Sequence, residues 1–473
     1  MNRVYRLIWS LVAGGWVAVA ESARGRGQGA ARKLIAAALL LAAAGAQAAP
    51  AGGQVTSGVG SVAQSGVTTT INQTSQNLSL NWQSFNVGSQ EAVNFVQPSA
   101  SAIAVNRILD TNGSQIMGRI NANGQVFLTN PNGILFGSGS QVNVGGLVAS
   151  TLNIQDASLN SSTRAFSGNG PGSIVNLGTI NAASGGYVAL LGNQVSNQGS
   201  IVAELGTVAL GGGSAVTLNF NGNSLVNMVV DQSVLNSLAE NGGLIKADGG
   251  MVVMSAGAKD SLLASVVNNT GAIEAQTMVR HEGKITLLGG MAAGTVNVAG
   301  TLNASAPNGG NGGFIETSAA RVAVADTAKI STAAPSGLTG TWLVDPTDFT
   351  IAASGGDMTG AAVSAALANN NFSVQSTAGT VGGISGSGDV NVNDVVAWNA
   401  NKLTLSAQNN ININARLNGT ASASLAIEYG QGAIALNNTG DYIVNAAVSL
   451  AAGDNLSTKL GSDGVAKVYT VVT

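Results

Sequence analysis

The residue types that most often carry catalysis are scarce in this chain. His281 is the only histidine, and there is no cysteine. A histidine base needs a nucleophile and an orienting acid beside it, and the sequence around His281 indicates no such set. Transition-metal clusters, which rely on cysteine and histidine, are excluded by the same counts. We therefore expect His281 in a surface loop, with no catalytic residue, no metal site and no cofactor.

Carboxylates could still bind calcium. The run from Asp389 to Asp394 (DVNVND) resembles the start of a calcium loop, in which oxygen ligands alternate along the chain. It lacks the glycine and the distal glutamate that such a loop needs. Alternation in a strand explains the run better, because Val390 and Val392 would then face the same side.

A polysaccharide lyase is the strongest enzymatic alternative, because many lyases are built on β-helices. Such an enzyme needs clustered acidic calcium ligands and an arginine or lysine base in a groove. The acids here are scattered along the chain: Asp156, Glu204, Asp248, Glu274 and Glu316. We therefore expect a protein that is not an enzyme.

The composition favours a repetitive β-fold. Of 473 residues, 65 are glycine and only 9% are charged, against about 25% in typical soluble domains. The mean hydropathy of +0.27 argues against a disordered chain. The net charge is −3, and it becomes −8 without residues 1–48, which hold six basic residues and one acid. An acidic chain with so few charges argues against nucleic acid as a partner.

Residues 1–48 form the predicted signal peptide. Arg32-Lys33 is its basic start and Leu34 to Ala44 its apolar core. Ala46-Gln47-Ala48 is a small-residue cleavage site, with cleavage expected after Ala48. The alternative is a membrane anchor, but the apolar core is shorter than the roughly 20 residues that span a bilayer.

Two short glycine-led units recur from about residue 170. The first reads G-x-[IL]-x-A and the second G-x-[VI]-x-[LM]. They occur together in 176–192, 197–212, 241–254, 269–289 and 298–316. Each unit alternates with period two, so it has one apolar face that it cannot bury alone. Stacked copies would bury a continuous column, which predicts a β-solenoid. The alternative, a β-sandwich, predicts less self-similarity.

The stretch from Asn121 to Ser150 has the parts of one such coil. Gln125–Thr129 is a β-rich run, Asn130-Pro131-Asn132-Gly133 is a turn, and Ile134–Phe136 is the next strand. Proline presets φ at the first central position of a turn, and asparagine or glycine tolerates the left-handed geometry that follows.

The same stretch carries a family resemblance. Asn130-Pro131-Asn132-Gly133-Ile134 is similar to a motif in the secretion domain of two-partner-secreted exoproteins, the filamentous-haemagglutinin-like proteins. Further blocks of that domain match in order at 81–88, 93–97, 104–107 and 146–150. A second motif of some members, Asn-Pro-Asn-Leu, is missing, as in the adhesin and haem-acquisition branch. Residues 1 to about 27 resemble the extended signal peptides of large Gram-negative exoproteins.

The resemblance implies a right-handed parallel β-helix that the general export machinery and then a cognate outer-membrane transporter carry to the outside or surface of a Gram-negative bacterium. Asn130 to Ile134 becomes the secretion motif. Whether Asn130 and Asn132 contact the transporter's periplasmic domains or only shape the turn stays open. The implied function is an adhesin or haemagglutinin that binds a host-cell or carbohydrate receptor. The alternative is a haem-acquisition or cytolytic exoprotein of the same route.

Four regions are predicted. Residues 1–48 are the signal peptide, 49–155 the secretion domain that caps the β-helix, 156–335 the repeats, and 336–473 a junction and a partly separate β-rich segment. Within these regions we expect a protruding loop at 219–240 and a helix at 358–370. The final strand, 467–473, has no evident cap, which predicts a short member of the family or the front portion of a longer chain.

Overall fold

The computed structural model describes residues 5–10, 15–20, 49–257, 264–381 and 384–472. The chain divides into two compact units, Met1–Gln47 and Ala48–Thr473. In the first unit, strands β1 (Tyr5–Ser10) and β2 (Gly15–Ala20) pair antiparallel. The predicted cleavage site at Ala46 and Ala48 lies outside the described residues. No helix within the described ranges is both long and apolar enough to cross a membrane.

Antiparallel strands open the second unit. They are β3 (Gln54–Ser57), β4 (Gly60–Ser65), β5 (Thr68–Gln73) and β6 (Asn77–Trp82). β3 pairs with β6 and β4 with β5 in antiparallel fashion. β5 and β6 then continue in parallel into β7 (Ala92–Val96) and β8 (Ile103–Ile108). The exposed strands β3 and β4 therefore cover the N-terminal side of the first parallel rung.

Most of the following strands stack in parallel, one rung on the next. In chain order they are β9 (Ser114–Ile116), β10 (Arg119–Ala122), β11 (Gln125–Thr129), β12 (Ile134–Phe136), β13 (Gln141–Ser150), β14 (Asn153–Ile154), β15 (Thr163–Ser167), β16 (Ile174–Asn176), β17 (Thr179–Gly192), β18 (Gln194–Asn197), β19 (Ser200–Val202), β20 (Thr207–Gly212), β21 (Ala215–Asn221), β22 (Ser224–Gln232), β23 (Ser237–Asn241), β24 (Leu244–Lys246), β25 (Met251–Ser255), β26 (Ser265–Asn269), β27 (Ala272–Glu274), β28 (Lys284–Leu288), β29 (Gly294–Val298), β30 (Thr301–Asn303), β31 (Phe314–Ser318), β32 (Arg321–Val324) and β33 (Lys329–Ser331).

The two repeat units predicted from the sequence form two columns of the core. In the first unit the inward residues stack in register and are fully buried: Ile180, Ile201, Ile245, Ile273 and Leu302. In the second unit the same holds for Val188, Val208, Val252, Ile285 and Ile315. Each strand therefore buries its apolar face against the rungs on either side. The prediction of a parallel β-helix is confirmed.

The corners between units are held by a column of buried asparagines. Asn176, Asn197, Asn241 and Asn269 are all fully buried, and the Nδ2 of each of the first three donates to the Oδ1 of the next at 2.8 Å. Steric contact between rungs explains why a glycine starts the second unit. A Cβ on Gly250 would lie 2.0 Å from the backbone oxygen of the rung below.

The segment predicted to protrude at 219–240 does leave the solenoid, but it is not a loop. β21 and β22 form a hairpin that joins β14 and β15 in a four-stranded antiparallel sheet outside the solenoid. The alternation of β21 gives this sheet an apolar face, which packs on outward-facing apolar side chains of the rungs. Phe166 and Leu218 of the sheet and Phe127 and Val148 of the solenoid belong to this second core. We call this sheet the outer sheet.

The large sheet continues through the C-terminal segment, whereas the lateral sheets begin anew. The strands are β34 (Thr341–Asp345), β35 (Phe349–Ile351), β36 (Asn371–Ser376), β37 (Gly379–Val381), β38 (Ile384–Gly386), β39 (Val390–Val392), β40 (Val396–Trp398), β41 (Lys402–Ala407), β42 (Ile411–Ile413), β43 (Leu417–Gly419), β44 (Ser424–Tyr429), β45 (Tyr442–Val444), β46 (Val448–Ser449), β47 (Gly453–Leu460) and β48 (Lys467–Val471). β34 pairs with β31 before it and β36 after it, while β35 and β40 start new sheets. The segment is thus joined to the earlier rungs through one face and distinct in the others.

Two further predictions concern this segment. Helix α1 (Gly360–Leu367) lies within the predicted 358–370 and is shorter, because Thr359 caps it and β36 starts at Asn371. The strand predicted near the end of the chain is β48. It folds back antiparallel on β47 and so adds no parallel rung.

Candidate functional site

The corner between β11 and β12 is formed by Asn130-Pro131-Asn132-Gly133-Ile134, which we call the motif corner. The N–H of Gly133 donates to the carbonyl of Asn130 at 3.0 Å and closes a four-residue turn. Gly133 has a φ of +103°, a conformation that a side chain would strain. Ile134 then enters the core, with 2% of its surface exposed.

The side chain of Asn130 points into the protein and is fully buried. Its Nδ2 donates to the carbonyl of Asn112 (3.1 Å) and to the Oγ of Ser114 (3.0 Å), both in the corner of the preceding rung. Its Oδ1 accepts from the N–H of Asn132 (2.9 Å). Both polar atoms of the amide are therefore engaged within the folded corner.

The other motif residues link this corner to its neighbours. Asn132 is half-buried, and its Nδ2 donates to the carbonyl of Asp110 (2.8 Å). The ring of Pro131 is exposed, while its carbonyl accepts from the N–H of Gly172 in the next rung (3.1 Å). Pro131 is thus the motif residue that faces solvent most openly.

Two sequence blocks of the resemblance, 81–88 and 104–107, meet the strand β11 that leads into this corner. The Nε1 of Trp82 donates to the Oδ1 of Asn106 (2.9 Å), and the Nδ2 of Asn106 donates to the carbonyl of Phe127 (3.3 Å). Trp82 also packs edge-on against Phe85, with ring centroids 5.2 Å apart. All four residues are at least 99% buried. Asn106 thereby ties three successive rungs together.

Asp156, one of the scattered acids, has a partner that sequence reasoning did not identify. Its Oδ1 accepts from the Nη2 of Arg107 (2.5 Å) and from the Oγ of Ser79 (2.8 Å). Arg107 also donates to the carbonyl of Ile154 (2.8 Å). These contacts fasten the turn between β14 and β15 to the solenoid. No spacing in the sequence predicted this pair.

The outer sheet covers an arginine that the sequence also gave no reason to single out. Arg164 is only 6% exposed, and its guanidinium carbon lies 4.1 Å from the ring centroid of Phe220 and 5.9 Å from that of Phe127. Among the residues that the structure describes, its Nε and Nη1 find no hydrogen-bond partner. Burial lowers the pKa of Arg164 and raises that of Tyr187 beside it.

Two of the acids considered for a lyase meet at one lysine, because the Nζ of Lys246 lies 3.1 Å from Asp248 and 3.9 Å from Glu274. His281 and Asp389 have other surroundings. His281 is exposed in a turn that its backbone closes with Met278. Asp389 accepts from the N–H of Asn410 (2.9 Å), and Val390 and Val392 behind it are fully buried, in the alternation that the sequence predicted. Within the described ranges, no three of the His, Asp and Glu side chains group in a way that could hold a metal ion.

Two protein families match the chain. The TPS secretion domain matches residues 46–304, and the extended signal peptide of type V secretion systems matches residues 1–49. A heme/hemopexin-binding protein of Haemophilus influenzae (strain Rd) is 33% identical over 253 residues, which is 50% of this chain and 27% of that protein. A second heme/hemopexin-binding protein of Haemophilus influenzae is 29% identical over 240 residues, 46% of this chain and 26% of that protein.

The chain therefore spans about a quarter of the length of these curated relatives (27% and 26%). Among solved structures, the HMW1 secretion domain from Haemophilus influenzae superimposes with a TM-score of 0.56 at 21% identity. The superposition covers 84% of this chain and 98% of that one, and it is a likeness of fold.

Proposed function

Because the chain belongs to the TPS secretion domain family, matched over residues 46–304, we propose that its N-terminal β-helix is both the secretion signal and the folding template of a secreted binding protein. The protein is a two-partner secretion exoprotein of a Gram-negative bacterium. An extended signal peptide directs it into the periplasm, and a cognate outer-membrane transporter carries it onward.

The template role follows from how a rung gains stability. Ile245, Val252 and Met254 belong to one rung and are fully buried, but only because rungs lie on both sides. Each such side chain contributes about 1.5–3 kcal/mol when it leaves water. In our proposal the transporter's periplasmic domains hold the unfolded secretion domain by strand addition. Outside the cell each rung then folds on the last, which favours outward movement without ATP.

We propose that Asn130 and Asn132 act in secretion by shaping the motif corner. The inward hydrogen bonds of Asn130 support this role. Asn130→Ala and Asn132→Ala should then lower both the secreted amount and the urea resistance of the purified protein. Asn143→Ala, at an exposed asparagine of the same domain, is the matched control. Loss of secretion with unchanged urea resistance would instead assign these side chains to transporter contact.

For the mature protein we propose an adhesin that binds a host-cell or carbohydrate receptor, a binding role with no catalysis. The support is the long series of rungs with exposed polar ladders, such as Asn121, Asn143 and Asn181, whose amides bond one another across rungs. The purified protein should bind epithelial cells saturably or agglutinate erythrocytes. Failure in both assays would remove this proposal and leave the secretion role standing.

Haem acquisition is the second candidate, and the two relatives named heme/hemopexin-binding protein favour it. The span 219–240, which holds most of the hairpin, has one methionine and no histidine or tyrosine, and Met228 is 2% exposed. The exposed His281 is the alternative ligand for haem iron. Titration with haem, followed at its Soret band, should separate wild type from His281→Ala if iron binds there. If the wild type and His281→Ala both capture hemopexin, the protein would bind that haem carrier and would not need His281 as an iron ligand.

The secretion proposal is tested first by expressing the full chain with its own leader, with and without the candidate transporter. We expect the protein in the medium or on the cell surface only when the transporter is present. Export without it, or retention in both strains, would overturn the assignment of the N-terminal β-helix as a secretion signal for that partner.

A further inference from the structure

The bond between Asp345 and Pro346 is the one Asp–Pro bond among the seven prolines of the chain. It lies where β34 ends and the corner toward β35 begins. An Asp–Pro bond has a built-in route to cleavage, because the carboxyl can close a five-membered ring on its own backbone carbonyl. The prolyl nitrogen is a tertiary amide, so it accepts a proton and leaves more readily than an ordinary peptide nitrogen.

The structure arranges the groups around this bond. The carbonyl of Asp345 accepts from the N–H of Ala319 in the preceding rung (3.2 Å). A donor at that oxygen stabilises the negative charge that develops when the carbonyl carbon is attacked. The Oγ1 of Thr377 donates to the Oδ1 of Asp345 (3.2 Å), and its N–H donates to the carbonyl of Pro346 (3.1 Å). Both sides of the bond are therefore fixed, and the carboxyl is partly shielded from water.

We propose that the Asp345–Pro346 bond is a self-cleavage site that acts in mildly acidic surroundings. The Asp345 carboxyl oxygen attacks the Asp345 carbonyl carbon, the bond to Pro346 breaks, and the carboxyl proton passes to the prolyl nitrogen. The product is a cyclic anhydride at Asp345 and a free amino terminus at Pro346. One water molecule then opens the anhydride to leave Asp345 with two carboxyl groups.

The pH range follows from the protonation of the carboxyl. Burial raises the pKa of Asp345 to about 6, the nearby Glu316 adds to the rise, and the Thr377 hydroxyl opposes it. The protonated acid is the form that carries both the nucleophile and the proton. At pH 6 this form is therefore much more populated than for an aspartate with the ordinary pKa of 3.8. The folded protein should therefore cleave faster than the same sequence unfolded.

Cleavage would part residues up to Asp345, which include the whole family-matched region, from the rungs that follow. The parts would stay associated at first, because β34 and β36 pair from Thr341 with Asn371 to Val344 with Val374. The cut must therefore be read under denaturing conditions, by gel and by intact mass.

The experiment incubates the full secreted chain at pH 5, 6 and 7.5, folded or in concentrated urea, with protease inhibitors. We expect two fragments, one ending at Asp345 and one beginning at Pro346, with a rate at pH 6 at least about tenfold higher in the folded sample. Asp345→Asn and Pro346→Ala should abolish this cleavage. Thr377→Val, which retains the reacting atoms, should retain it.

The proposal is overturned if the folded chain stays intact at pH 5, if the folded and unfolded rates are equal, or if Asp345→Asn cleaves at the wild-type rate. The last result would assign the cut to a protease. Circular dichroism shows whether each variant has folded, and only the cleavage rates of folded variants are compared with the wild type.

Discussion

Replacing Asn197 by alanine tests whether the buried asparagine column stabilises the solenoid. Asn197 accepts from the Nδ2 of Asn176 and donates from its own Nδ2 to Asn241, both at 2.8 Å. The same Nδ2 also reaches the carbonyl of Leu244 at 3.2 Å. Alanine removes all three hydrogen bonds and keeps the backbone in place.

The expected loss can be worked out from the groups left behind. The Oδ1 of Asn241 and the carbonyl of Leu244 lose a donor, and the Nδ2 of Asn176 keeps only two long contacts of 3.4 Å. Each buried polar group without a partner costs about 1–3 kcal/mol. We therefore expect the free energy of unfolding to fall by about 3–5 kcal/mol.

Asn143→Ala is the matched control, because Asn143 stands in a similar ladder but is exposed. Water can replace its lost hydrogen bonds, so we expect a change below about 0.5 kcal/mol. Urea unfolding followed by circular dichroism gives both values, and hydrogen exchange shows whether the loss centres on residues 174–246. Equal values for the two variants would refute the reasoning that burial makes the asparagine column stabilising.

Three further predictions concern packing and charge. Gly250→Ala should lower the free energy of unfolding by about 2 kcal/mol or more, because its Cβ would meet a backbone oxygen at 2.0 Å. Gly139→Ala, with its nearest contact at 3.9 Å, should change it by less than about 1 kcal/mol; urea midpoints that fall equally would contradict this. Arg164→Met should leave thermal stability equal or higher, because a buried cation with no acidic partner within the described residues is removed while its packing volume is kept; a clear loss would mean that the contacts of the guanidinium with Phe220 and Tyr187 outweigh the cost of burying it. The raised pKa of Asp345 means that the folded state binds the proton more tightly than the unfolded state, so stability should fall by about 1–2 kcal/mol as the pH rises from 4 to 6 and level off above; Asp345→Asn should remove this slope in rapid urea titrations.

The repeats made most of the solenoid predictable. Period-two alternation placed Ile180 and Val188 in the core, and both are fully buried. The sequence shows that a glycine starts each unit, but not why. The reason is steric, because a neighbouring rung approaches within 2.0 Å of where a Cβ on Gly250 would be. A single sequence does not display such contacts between residues about 40 apart.

The outer sheet and the motif corner were less predictable for the same reason. The longer spacing between repeat units predicts a protruding loop at 219–240, but it does not show where the apolar residues of that span pack. The partners are outward-facing side chains of other rungs, Phe127 and Val148. For Asn130, turn chemistry predicted the corner correctly. The direction of its amide depended on Asn112 and Ser114, in a different rung.

The outer sheet cannot be completed in the order in which its strands occur in the sequence. β15 ends at Ser167, but its partner β21 starts only at Ala215, after the strands β16 to β20 have been laid down. If the chain emerges with its N-terminus first, the apolar side of β15 and the surface around Phe127 stay exposed to water until β21 and β22 have folded. The hairpin then covers rungs that are already folded. A chain that stops before residue 232 would therefore leave this apolar surface exposed and prone to aggregation.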